Sequence, residues 1–305
     1  MPRQVDTGRA FQWAFAKQLS DSLGVPIAPS LSAIAARDSY DYAVDDSYQK
    51  RFIHASHLAS EEILRLESNH PAVRGASAIT VAPNSGHQAG DPRDVSVLGG
   101  DSQLGFSSKS NSASLKHSRL GPNINFVLKW GLDAQGVSDQ YLEQVDPVFQ
   151  VLKQLKQNSD GRALWADFDG KYDLAYWPLL NAFGEELLRV CGSGASSSQR
   201  ACKGLFDYVL GNHDFYKVCS RVNAVEIQAF NYQSSLSGES SEHPKYLQVI
   251  ESHSKNRCSI DVRFADDSVF NFRIHNASKR IETSLKFDIQ ATKLTPSIYS
   301  RQISF

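Results

Sequence analysis

The sequence predicts an α/β protein: a mixed β-sheet flanked by helices, followed by a β-rich C-terminal elaboration. Three observations predict it. Apolar side chains keep a helical spacing through most of the first 67 residues. Between Ser77 and Ser110 the period drops to two, with turn residues as punctuation. After Pro122 the helical spacing returns, and the last third is dominated by period-two runs separated by polar turns.

From Gly8 to Leu23 the residues Phe11, Phe15, Leu19 and Leu23 recur every four places, the stripe of an amphipathic helix. Residues 24–46, rich in Pro, Ser, Asp and Tyr, read as a loop with one short helix. A second helix is expected from Ser47 to Glu67, burying Phe52, Leu58, Ile63 and Leu66, and Pro71 with the small residues after it ends that segment. SAITVAP, RDVSVLGG and QLGFSSKS read as strands, the last two joined by the turn Gly99–Gly100–Asp101–Ser102. DQYLEQVDPVFQVLKQLK and YWPLLNAFGEELLRVC read as core-facing helices, and Trp130, Trp165 and Trp177 as core residues. VEIQAFNYQSSL, YLQVIES, CSIDVRFADDSVFNFRIHN and SLKFDIQATKL supply the later strands. GSGASSSQRA, residues 192–201, is the most linker-like segment, although its length also suits an ordinary loop. It divides the chain into 1–190 and 191–305, unless the two are one continuous domain.

A chain of 305 residues can bury a full core. Its net charge of −1 and pI near 6.8 give no global basic field, though a basic cleft balanced by acids elsewhere still suits a polyanion. Cys191, Cys202, Cys219 and Cys258 form no C-x-x-C pair and read as reduced thiols rather than a disulfide or a zinc site. The N-terminus has no signal-like apolar core, and no stretch approaches the ~18 apolar residues of a membrane span. These features suggest a cytoplasmic protein with no membrane partner.

The stretch GDPRDVSVLGGDSQLGFSSKSN, residues 90–111, concentrates the chemistry. Alternation puts Gln103, Gly105, Ser107 and Lys109 on one face. Antiparallel pairing of 94–98 with 104–109 would set Asp94 opposite Lys109 at the open end. Such a pair suits phosphodiester hydrolysis. The carboxylate holds Mg²⁺, the metal activates a water and stabilises developing charge, and the lysine orients or deprotonates the nucleophile. The general pattern is an acid, then (D/E)-x-K on the next strand. Here Ser107 stands at the acidic position, which leaves the site one carboxylate short.

Three repairs are open. The helix bearing Glu61, Glu62 and Glu67 precedes the hairpin and is the favoured source, with Glu62 as metal ligand; Asp91 is a second possibility. Gln103 is a third, but it lies roughly 20 Å from Lys109 along an extended strand. The plainer alternative for Asp94 and Lys109 is an exposed cross-strand ion pair. Just downstream, Lys116, His117 and Arg119 add donors suited to phosphate oxygens or guanine edges, although a histidine at a polar helix start also fits a surface role.

Six blocks then occur in order. They are Gly8–Arg9–Ala10–Phe11; G-D-x-R-D-V from Gly90 to Val95; G-x-S-x-K-x-N from Gly105 to Asn111; L-K-H-S-R-L, residues 115–120; YWPLLNAFGEEL; and YVLGNHDFYK, residues 208–217, followed by IQAFNYQSSL. Together they resemble the HaeIII-type restriction endonucleases over most of the chain. The resemblance implies a PD-(D/E)xK nuclease-like fold and a Mg²⁺-dependent type II endonuclease of a restriction–modification system. Such an enzyme cuts double-stranded DNA at a short site, GGCC if it follows the family's type member, and leaves a 5′-phosphate and a 3′-hydroxyl.

By position, Asp94 matches the metal-binding aspartate and Lys109 the catalytic lysine, while Ser107 belongs to the family pattern. Gln103 replaces an expected glutamate in the catalytic set, and Asn125 an expected aspartate. A symmetric site implies a homodimer, and the family implies the cytoplasm of a bacterium or archaeon. Residues 1–190 would then be the catalytic core and 191–305 a DNA clamp. Two alternatives remain: a modification-dependent endonuclease of the same fold, or a catalytically silent sequence-specific DNA-binding protein, for which Gln103 and Asn125 are the support.

Further DNA contacts are expected from Tyr216 and Lys217, unless they belong to a helix end whose aromatics pack into the core. Asn223, Gln228 and Asn231 carry amides able to pair with adenine edges. Lys279–Arg280 and Lys255–Arg257 could hold phosphates or simply face solvent.

Overall fold

Local capping chemistry sets the helix boundaries. In the computed structural model, which describes residues 3–83, 91–112, 114–252, 257–276 and 278–305, helix α1 (Gln4–Leu23) stops at Gly24, whose φ of 67° lies in the left-handed region. The Ser30 hydroxyl accepts from the Ala33 N–H and starts α2 (Leu31–Asp38), which runs on as a π-turn over Ser39–Ala43. The Asp45 carboxylate accepts from the Ser47 and Tyr48 N–H groups and starts α3 (Asp46–Leu66). Residues 24–46, expected as mainly loop, are therefore mostly helical.

A short α4 (Pro71–Arg74) leads to β1 (Ala78–Val81), β2 (Val95–Gly99) and β3 (Ser102–Ser110). Then come β4 (Ser114–Leu120), α5 (Phe126–Lys129), α6 (Asp139–Asn158), α7 (Trp177–Cys191) and α8 (Ser198–Leu210). The chain continues through β5 (Phe215–Ser220), β6 (Ala224–Phe230), β7 (Leu247–Ser252), β8 (Ser259–Phe264), β9 (Val269–His275), β10 (Leu285–Lys293) and β11 (Ser300–Ser304). Three segments differ from expectation. The block around His117 is a strand, not a helix start, and DFYK enters a strand rather than ending a helix. The linker-like GSGASSSQRA is a turn that runs into α8.

The chain forms two interleaved units. The first comprises Met1–Ala113, Leu210–Glu242 and Pro296–Phe305; the second comprises Ser114–Val209 and His243–Thr295. Residue 190, the expected division, falls inside the second unit, where α7 and α8 follow one another.

The first unit holds a six-stranded sheet in the order β1-β2-β3-β5-β6-β11. It is mixed because β3 and β5 run parallel while the other pairs are antiparallel. Its core places Phe11 and Phe15 of α1 and Phe52 of α3 with Phe106, Tyr216, Val218 and Ile227 of the sheet. The second unit holds an antiparallel five-stranded sheet in the order β4-β10-β9-β8-β7. Trp130, Phe183 and Phe206 pack on its Phe264, Phe270, Phe272 and Phe287. Gly184 lets α7 lie close to the sheet, since a β-carbon there would stand 3.2 Å from Ile250. Trp130 and Trp165 are buried and Trp177 is half-buried, and all four cysteines are buried.

Candidate active site

The hairpin forms as its alternation demands. Its ladder runs from Gly99 opposite Ser102 to Val95 opposite Phe106. One residue further, the Asp94 N–H donates to the Phe106 carbonyl, so Asp94 sits at the mouth where β3 outruns β2. There its carboxylate takes the place of the missing strand: Oδ1 accepts from the Ser108 N–H and from the Ser108 hydroxyl, each at 2.8 Å. The register of Val95 with Phe106 sets Ser107 directly opposite Asp94, so Lys109 does not take that expected place. Its side chain reaches back instead, and Nζ stands 3.3 Å from Asp94 Oδ2. Asp94 is nearly buried, and the Lys109 side chain keeps 20% of its surface exposed. Ser107 is buried on the same strand.

Arg93 frames this mouth. Its guanidinium donates to both carboxylate oxygens of Asp91, and its aliphatic stem lies over Gly105. Burial works against the Asp91 charge, but the Arg93 guanidinium and backbone N–H overcome it and hold the carboxyl below the usual range. Asp91 is thus committed to Arg93.

Among the described residues no group of three or more His, Cys, Asp or Glu side chains converges as a metal cage. What Asp94 offers is one carboxylate, with the Ser107 hydroxyl one residue past the ladder. That donor set fits Mg²⁺ in the mode in which one or two carboxylates, retained waters and substrate phosphates share the ion.

Glu62 is engaged elsewhere. Tyr299, Arg301 and Arg65 all donate to its carboxylate, which these hydrogen bonds hold at a pKa of about 2. They tie it to β11, four strand spacings from β2, or roughly 19 Å. Gln103 is also remote from Asp94, exposed opposite Leu98 near the hairpin turn.

The structure redistributes the remaining candidates. Tyr216 is buried, and its hydroxyl donates to Glu67, which also accepts from the Ser237 N–H and hydroxyl. It supports the core rather than a DNA surface. Lys217 is buried in β5 with Ser107 on one side and Gln228 on the other, and burial pushes its pKa down to about 8. Gln228 is half-exposed, and Asn223 is exposed in the β5–β6 turn, where its carbonyl accepts from the Phe305 N–H. Asn231 is structural, its side chain tying down Leu236, Gly238 and Glu239.

Lys116, His117 and Arg119 lie on β4, in the second unit. Lys116 donates to the Tyr208 carbonyl and sits 4.0 Å above the Tyr208 ring; burial lowers its pKa to about 8. His117 Nδ1 lies 2.7 Å from Asp288 Oδ1, and Arg119 reaches Glu282 at 3.4 Å. Lys279 and Arg280 are exposed, and Arg257 pairs with Asp173. Gly90 and Lys255 lie outside the described residues.

Several block residues prove to be scaffolding. Asn125 accepts from the Leu128 and Val137 N–H groups and starts α5. Glu186 accepts from the Ser138 N–H and hydroxyl, fixing the start of α6. Asp214 closes the turn at Gln233 and Ser235. Two participants went unmarked in the sequence. Ser108 was the unspecified place in G-x-S-x-K, and Asp288 was a polar position in an alternating strand.

Comparison with known proteins places the chain in a family. The chain matches the HaeIII restriction endonuclease family over residues 8–295. The type II restriction enzyme HaeIII of Haemophilus aegyptius is 27% identical to it over 305 residues, covering 93% of each chain. No solved structure matches. The chain belongs to the HaeIII restriction endonuclease family.

Proposed function

We propose that this member of the family is a type II restriction endonuclease that hydrolyses phosphodiester bonds of duplex DNA at a short specific site, using Mg²⁺. The observation that carries the reading is the Lys109 ammonium held 3.3 Å from an Asp94 carboxylate that Ser108 clamps from the other side. A carboxylate fixed by two donors needs little reorganisation when it acts.

When bound, Mg²⁺ would supply an activated water and neutralise charge on the scissile phosphate. Asp94 would hold the ion, with Ser107 beside it. As an ammonium, Lys109 would donate a hydrogen bond that orients the attacking water, whose proton would leave to bulk solvent, and its positive charge would favour the pentavalent phosphorane. In-line attack would leave a 5′-phosphate on one fragment and a 3′-hydroxyl on the other. A GGCC-like target and a homodimer acting on both strands follow from the family's type member and from the symmetry of such a site. The silent-protein alternative rested on Gln103 and Asn125, but the first is remote from Asp94 and the second caps a helix.

The test is digestion of unmethylated and cytosine-methylated plasmid with Mg²⁺ or with EDTA, followed by sequencing of the ends. Discrete fragments with Mg²⁺ alone, lost in Lys109→Ala while DNA binding persists, are expected. Intact plasmid under every condition would defeat the reading. Cutting of methylated plasmid only would replace it with modification-dependent cleavage.

A further inference from the structure

The L-K-H-S-R-L block does not lie in the hairpin's sheet, and its place on β4 raises a separate question. The second sheet has two unlike faces. Lys116, Ile289 and Phe272 register together on the face packed by Trp130, Tyr208 and Phe183. On the other face, His117, Asp288 and Arg273 form one cross-strand row, and Arg119, Lys286 and His275 form the next. Gln290 and Asn271 continue that face one row on.

The corner is open and basic. Half of the His117 and Arg119 side-chain surfaces is exposed, Arg273 is exposed, and Lys286 is half-buried. Five basic side chains, His117, Arg119, Arg273, His275 and Lys286, stand against three acids, Asp288, Glu282 and, in the row of Asn271, Asp261. Arg119 holds Glu282 only at 3.4 Å, and neither Lys286 nor Arg273 has an ion-pair partner among the described residues.

Asp288 differs from an ordinary surface acid. It is buried, and it accepts from the Ser114 hydroxyl at 2.7 Å as well as meeting His117 Nδ1. An imidazole held through Nδ1 by a buried carboxylate presents Nε2 outward in one orientation.

We infer that this β4–β10–β9 face is a docking surface for duplex DNA, on which Arg119, Lys286 and Arg273 take backbone phosphates and Asp288 positions His117 against the duplex. Exposed cations spread across adjacent strands, at roughly 4.8 Å per strand, suit a polyanion better than a single small anion. The inference rests on the endonuclease reading and adds a surface to it.

Electrostatic binding needs no knowledge of the recognition sequence, so the probe is a 30-base-pair duplex of arbitrary sequence in EDTA, titrated across a salt series. Each lost phosphate contact lowers the slope of log affinity against log salt by about 0.9, so Lys286→Ala/Arg273→Ala should lower it by about 1.8. The melting temperature should hold, because both side chains are exposed or half-exposed. As a comparison, Lys153→Ala/Lys156→Ala removes two exposed cations of α6.

A wild-type slope in the first double variant, or the loss appearing in the α6 variant instead, overturns the inference while leaving plasmid cleavage intact. A wild type that neither binds the duplex nor cuts plasmid defeats the endonuclease reading, and the inference with it. For Asp288, the readout is a double-mutant cycle. Asp288→Asn should weaken binding at least threefold in the wild type and have no further effect in a His117→Ala background. An equal loss in both backgrounds would make Asp288 merely structural.

Discussion

Gly105 and Arg93 occupy one volume: a β-carbon on residue 105 would stand 2.7 Å from Arg93 Cγ, closer than packed carbons approach. The arginine can lie across β3 only because that strand has a glycine there, and its guanidinium then reaches both oxygens of Asp91. Gly105→Ala should therefore expel Arg93, break its pair with Asp91 and disturb the mouth at Asp94. Overpacking of this kind costs about 1–3 kcal/mol, and cleavage should fall at least tenfold. In an Arg93→Ala background the clash is gone, so the same substitution should cost less than ~0.5 kcal/mol. Equal costs by thermal melting in the two backgrounds would refute the shared-volume account.

The departures from the family pattern at Gln103 and Asn125 should be harmless to chemistry. Asn125 accepts two backbone N–H bonds, a role that aspartate fills equally well. Asn125→Asp should leave stability within ~0.5 kcal/mol and cleavage within threefold, whereas Asn125→Ala should cost about 1–2 kcal/mol. Gln103→Glu, which restores the expected acid far from Asp94, should cut at the wild-type rate. A tenfold gain in single-turnover rate from Gln103→Glu would return that position to the catalytic set.

The hairpin was readable because its determinants are local: two alternating runs, a Gly–Gly–Asp turn, and an acid and a lysine that its open end brings together. Glu62 misled because its partner strand is β11, more than 230 residues later, and only tertiary pairing ties the helix to that edge of the sheet. Lys116 follows Lys109 by seven residues, yet its contacts come from residue 208, and those of His117 come from residue 288. Ser108 was hidden for a different reason. Its N–H is left without a strand partner where β2 ends, a fact of register rather than residue type. The parallel pairing of β3 with β5, which sets Lys217 beside Ser107, likewise joins segments about a hundred residues apart.

That pairing gives Lys217 a measurable signature. Burial is the main reason its pKa falls to about 8, with Lys109 and Arg221 adding like-charge repulsion. Between pH 8 and about 10.5 the unfolded lysine binds a proton that the folded one has lost, so stability should rise with pH across that window. Below pH 8 both states carry the proton and the charge is a constant burden, on the order of 3 kcal/mol. Lys217→Met keeps the stem and removes the charge. Near pH 7, in EDTA, it should melt above the wild type, and its advantage should shrink toward zero by about pH 10.5. Chemical denaturation of both proteins at half-unit pH steps measures the difference directly. An advantage that stays flat with pH would mean that the Lys217 ammonium is well solvated or well paired in the folded state and that burial does not govern it.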